Sequence, residues 1–380
     1  MKRLQWIVVL LLAASPAWAA KKITVQELKE LLIARQQAGK TDADVATDLR
    51  DVELTEELTR STMNSFAPFT LGQLTTEQLF VLEARSAMLA PPATDLPATP
   101  APDAATQKAI LDKAVDYATK TYAQLPAVTG TKDTRRFQDG AETTLGSLGS
   151  HSAATVAATI SPIRYTAGTE VQVTLRNGAE QIPAEKEKTQ WGANGLIALL
   201  GQGPALSTVL EEAQATGKIG WVRWETVNGH QAAVYSFSVD KKKSHYAVNY
   251  CCFPDSDQAG AMGLRGQTQN GGQGNYGVNT TWKPYKATVP YHGEIFVSPD
   301  TGVVVRLITE AEFKSSDLVR QEDQRIDYGP ATIGGQALIL PERSIIDTLT
   351  LPFGDSGQAR FITRHTIFTT DYKNYQSGGN

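Results

Sequence analysis

A serine set between an aspartate and a glycine, as in Gly354-Asp355-Ser356-Gly357, suits nucleophilic chemistry if a histidine takes its proton and a buried carboxylate orients that histidine. Gln358 and Ala359 follow, however, where a second glycine and a proline would complete the nucleophile loop. A polar turn between two alternating segments accounts for the same residues. Ser238 and Lys241 have the Ser-x-x-Lys spacing in which a lysine eases deprotonation of a serine, an arrangement that needs a helix start. Here the pair ends a strand-like segment and runs into Lys242 and Lys243, a solvated turn.

Gly39-Lys40-Thr41 closes a stretch from Ala34 that fits a relaxed phosphate-binding loop. Such a loop works where a strand leads into a helix whose first amides wrap the phosphates. The residues before this one end a helix, and Gly39 is its natural stop. Histidines stand at 151, 230, 245, 292 and 365, so no local pair of metal ligands exists. Neither a metal nor a cofactor is expected. Cys251 and Cys252 are adjacent, and on a regular strand their side chains would face opposite ways. In an oxidising compartment they could close a strained disulfide with each other, ahead of Phe253-Pro254. Two reduced thiols, or a bond to another chain, are the alternatives. Redox catalysis normally uses Cys-x-x-Cys, which this sequence lacks.

Trp221, Trp224, Tyr235, Phe237, Tyr246 and Tyr250 gather most of the aromatic surface of one region. They read either as core beneath a helix at Leu206–Ala213 or as the wall of a site for an acyl chain or apolar peptide. Alternation along the strand places Trp221 on one face and Trp224 on the other.

The elements that must carry these residues are legible from the N-terminus onward. Lys2 and Arg3, the apolar run from Trp6 to Ala14 and the small-x-small Ala17-Trp18-Ala19 make residues 1–20 a signal peptide, so the chain is expected to be secreted or periplasmic. No other run approaches the ~18 apolar residues of a membrane span. The net charge of −4 gives no basic surface for nucleic acid. Residues 21–90 have helical spacing, with Val25, Leu28, Leu31 and Leu32 on one face and Thr41 or Asp42 as the next cap. Residues 91–103 form an extended linker holding five prolines. One helix and a connection fill 104–134. From 135 to 375 the period drops to two, and Asn177-Gly178, Asn228-Gly229 and Gly334-Gly335 mark hairpin turns. A glycine-rich insertion, 254–290, interrupts the strands, and 376–380 is a flexible tail. The expected fold is α+β: a helical module, then a curved, mostly antiparallel sheet in an open half-barrel, with a covering helix.

The strand-turn-strand from Trp221 to Tyr235, the tyrosine-bearing segment Ser244-His245-Tyr246 and the hairpin from Tyr291 to Arg306, turning at Asp300-Thr301-Gly302, resemble one fold family. It is that of periplasmic lipoprotein carriers and the sigma-factor regulators that share their half-barrel. The helices-then-half-barrel order is also similar to that of a set of uncharacterised secreted bacterial proteins, which implies a fold and no activity. The resemblance implies a non-enzymatic envelope protein that holds a lipid, lipoprotein or hydrophobic peptide on the concave face of its sheet. Trp221, Trp224, Tyr235, Phe237 and Tyr246 are the expected ligand-binding residues. Two other readings remain: a secreted serine hydrolase using Ser356, and a structural module that meets an envelope protein partner through its N-terminal helices.

Overall fold

Threonine hydroxyls start the first two helices. In the computed structural model, which describes residues 21–142, 159–176, 179–181, 204–254, 282–350 and 364–378, Thr24 caps α1 (Val25–Gln37) and Thr41 caps α2 (Asp42–Arg50), each in a reciprocal capping box. Gly39 takes the positive φ of 64° that ends α1. The module also holds a parallel pair, β1 (Lys21–Ile23) on β2 (Val52–Leu54), which helical spacing alone did not predict. Two more helices follow, α3 (Arg60–Ser65) and α4 (Gln73–Ser86). The carboxylate of Asp42 accepts the backbone N–H groups of Leu74 and Thr75 at 3.0 and 2.9 Å, so α2 supplies the cap that α4 lacks at Gly72. Leu28, Leu32, Val45, Leu49, Phe66, Leu79 and Leu82 close the module's own core.

The second unit is one open antiparallel sheet of ten strands. It comprises β3 (Val128–Glu142), β4 (Thr159–Arg176), β5 (Ala179–Gln181), β6 (Ile219–Val227), β7 (His230–Val239), β10 (Tyr291–Val297), β11 (Val304–Ala311), β12 (Val319–Ile333), β13 (Gln336–Thr350) and β14 (Arg364–Ser377). Their order is β5-β4-β3-β14-β13-β12-β11-β10-β7-β6, so β5 and β6 are the two edges. Asn228-Gly229 and Gly334-Gly335 turn their hairpins with positive φ at both residues. The strands are longer than the alternating segments of the sequence, and β14 returns to pair with β3, over 220 residues away in sequence. The segment at His245–Cys252 leaves this sheet. As β8 (Ala247–Pro254) it pairs instead with β9 (Trp282–Thr288), a strand inside the region read as insertion. Residues 255–281 lie outside the described residues, as do 1–20 and the turn Asn177-Gly178.

Helices cover both faces of the sheet. On one, α5 (Ala104–Asp116) and α6 (Leu206–Thr216, stopped by Gly217 at φ 67°) set Ile110, Ala114, Val209, Leu210 and Ala213 against Tyr235, Phe237, Tyr291, Ile295 and Leu307. On the other, α4 lays Val81, Ala84 and Ala87 on Phe137, Ile345 and Ile367. Thus α4, apolar on two sides, belongs to the module core and to the sheet interface at once.

Where β10 crosses β11 the backbones close in. A Cβ on Gly293 would lie 1.9 Å from the Ile308 carbonyl oxygen. Gly293→Ala is therefore expected to cost about 1–3 kcal/mol by forcing the two strands apart, read as a lower urea midpoint at unchanged slope.

Candidate functional site

The sheet face turned to the helical module is charged, although much of it is buried. Period-two alternation puts Arg306, Ile308 and Glu310 of β11, Asp323, Arg325 and Asp327 of β12, and Arg343, Ile345 and Asp347 of β13 on this one face. Register sets Asp327 between Arg306 and Arg343. Taking such ions out of water costs several kcal/mol each unless each finds partners, and the module supplies them. Glu57 accepts Arg325 Nη1 and lies 3.6 Å from Arg306. Arg325 also donates to the Ala87 carbonyl at the end of α4, 3.2 Å away. Asp327 accepts Arg306 Nε at 2.6 Å and Arg325 Nε at 3.1 Å. Burial alone would raise the Asp327 carboxyl, but the two guanidinium groups overcome it and hold the group well below the usual carboxylate range. Further along, Glu83 of α4 accepts both Arg343 and Arg60.

This ladder continues towards the edge strand and opens into a cleft. Arg306 lies 3.5 Å from Glu225, which accepts Arg223 at 2.6 Å. Arg223 in turn grips Glu294 with two parallel N–H···O bonds of 2.7 and 2.8 Å. Between these strands and the stretch after α4 lies a cleft of about 320 Å³, within the size range of small-ligand sites. Met88, Leu89 and Pro91 form its apolar wall, and the facing strands line it with Arg223, Glu294, His292 and Glu310, between which Phe296 and Ile308 are buried. The hydrogen bond to Glu310 raises the His292 imidazolium to about 9 against the cost of burial, with Glu312 adding to it. The polar wall therefore sets the guanidinium of Arg223 and the imidazolium of His292 beside Glu294 and Glu310. It can orient a polar group while the opposite wall takes an apolar body.

No protein-family model, curated protein or solved structure matches the chain.

Five of the six aromatic residues singled out in the sequence do come together, but on the face covered by α5 and α6, while the side chain of Tyr250 lies outside the described residues. Tyr235, Phe237 and Tyr246 are each 3% exposed or less, and Phe237 and Tyr246 pack their rings on Tyr291. Strict alternation fails for the two tryptophans. A bulge between Trp221 and Arg223 adds one residue to β6, which turns Trp221 and Trp224 to the same side, their rings edge to face at 4.8 Å. A third ring, Tyr235, stands 5.7 Å from Trp221. Cys251 and Cys252 fall in a register shift of β8 against β9, and their side chains, like all of Ser356 and His151, lie outside the described residues. Each of three other histidines meets a carboxylate: His245 meets Glu212, His292 meets Glu310 and Glu312, and His365 meets Asp347.

Sequence reasoning missed the cleft. Its polar residues come mostly from β6, β10 and β11, with Glu57 from the module, and its apolar ones partly from the stretch after α4, over 130 residues earlier. The charged face beside it did leave a signal, the run Glu322 to Asp327, with a charge at four of six positions. Charges on both faces of a strand mean that at least one face is not an ordinary apolar layer.

Proposed function

We propose that this is an exported, non-enzymatic binding protein of the bacterial envelope, and that its ligand, a lipid, lipoprotein or hydrophobic peptide, places its apolar part in the cleft against Met88 and Leu89. One observation carries the reading: across the cleft the partly exposed apolar stretch at Met88 and Leu89 faces the fixed charges of the sheet, whereas Tyr235 and Tyr246 are consumed by the core. Arg223 keeps its orientation without a ligand because Glu225 and Glu294 both hold it, so little side-chain entropy is lost on binding.

Leu89 is 38% exposed at the mouth of the cleft, so enlarging it obstructs the site without disturbing the core. Leu89→Trp is expected to weaken binding of a fluorescent fatty-acyl probe at least tenfold at unchanged Tm. Native mass spectrometry of the gently purified protein should show an added mass that the variant loses. Absence of any added mass and of probe binding, or binding indifferent to Leu89→Trp, overturns the proposal.

A further inference from the structure

The linker of residues 91–103 does not hang free, and what holds it is the aromatic group on β6 and β7. The Trp224 indole N–H donates to the Pro100 carbonyl at 3.0 Å. Beside it, the Gln231 amide donates to the Thr99 hydroxyl at 3.2 Å. The Tyr235 hydroxyl donates to the carbonyl of Gln107, in the first turns of α5, at 2.6 Å. Trp221 completes the platform by packing against both Trp224 and Tyr235. Contrary to the expectation of a linker extended throughout, it turns once as a 3-10 helix at Ala93–Asp95, and it leaves that turn extended, with Leu96 at φ −91° and ψ 109°. Aromatic rings with an indole donor facing a carbonyl of an extended, proline-bearing segment are the elements by which proline-rich peptides are recognised.

Two features make this a surface and not only internal packing. Thr99, Pro100 and Ala101 are exposed even while seated, so few contacts hold that part down. The platform also sits on β6, an edge of the ten-stranded sheet, where an extended chain can approach from solvent.

We infer that the surface made by Trp224 and Gln231, with Trp221 beside it, is a recognition site for an extended, proline-bearing peptide segment of a partner protein, and that residues 97–102 are its built-in occupant. A partner segment gains the platform by displacing this strap. The site is separate from the cleft, so it stands whether or not the cleft holds an apolar ligand. Its contacts with the strap are uncharged, so affinity should change little with salt.

The test uses the full mature chain and a fluorescein-labelled peptide with the sequence of residues 91–103. In a strap-loosened chain, Pro97→Gly with Pro100→Gly, the peptide should bind at least tenfold more tightly than in the parent, because its competitor has gained conformational freedom. Adding Trp224→Phe, which keeps a ring but removes the donor, or Gln231→Ala at an exposed position, should return affinity to the parental level without lowering Tm. Leu89→Trp should leave peptide binding untouched. No binding in either chain, or binding that strap loosening does not strengthen, overturns the inference. So does formation of a strap-exchanged dimer by the loosened chain in place of peptide binding, since the occupant would then be a second copy.

Discussion

Arg325→Met is expected to cost about 3–5 kcal/mol of stability, the range found when one partner of a buried ion pair is removed. Arg325 is 5% exposed and holds Glu57, Asp327 and the Ala87 carbonyl together at the interface of module and sheet. Methionine fills a similar volume, so the loss is electrostatic: Glu57 and Asp327 then share Arg306 alone. Adding Glu57→Gln restores the balance of charge. The double variant should therefore be less damaged than the two single costs combined, by at least ~1 kcal/mol. Urea denaturation of the four chains of this cycle measures the coupling. Additive, small effects would mean that the module is held by α4 packing alone.

That interface was the part of the fold least open to a reading of the sequence. Local signals were reliable: Thr24 and Thr41 as caps, Gly39 and Gly217 as stops, and Asn228-Gly229 and Gly334-Gly335 as turns each encode a conformation within a few residues. Pairing between distant segments left no such mark. The strand β3 runs through Lys132, Asp133, Arg135 and Arg136, which resemble a solvated connection until β14 arrives to pair with it. The tryptophans were assigned to opposite faces because alternation assumes a regular strand, and nothing in Trp221-Val222-Arg223-Trp224 announces the extra residue that turns them to one side. The cleft depends on both long-range steps, since it exists only where the stretch after α4 meets β10 and β11. The aromatic composition pointed to a real cluster, yet could not say that the chain's own linker would lie on it.

A second large effect comes from a carboxyl group on the opposite face of the sheet. Glu322→Gln should raise Tm at pH 8 and leave it nearly unchanged at pH 5. Burial raises the Glu322 carboxyl to about 8, opposed by Tyr246 and reinforced by Asp323. Its Oε1 is 3.4 Å from the Tyr246 hydroxyl, and its Oε2 has no partner. An unfolded glutamate titrates near ~4.3, so between that pH and about 8 the folded chain keeps a proton that the unfolded chain has released. Stability must then fall as pH rises through this window. Asp323, raised by burial to about 7 with Glu310 and Asp347 adding to the effect, tilts the curve the same way. Asp327 acts in the opposite sense: its lowered carboxyl stabilises above the unfolded value of ~3.9 and is lost only as pH falls further. The two signs together place maximal stability near pH 4–5, below the usual optimum of ~5–8. Each unit of displacement is worth ~1.4 kcal/mol, so removing the charge of Glu322 should flatten most of the decline between pH 5 and pH 8. A slope that survives Glu322→Gln but vanishes with Asp323→Asn would assign the proton to the other carboxyl. A parent chain whose Tm does not fall over this range would mean that Glu322 is ionised and compensated, which its buried, unpartnered oxygen does not provide for.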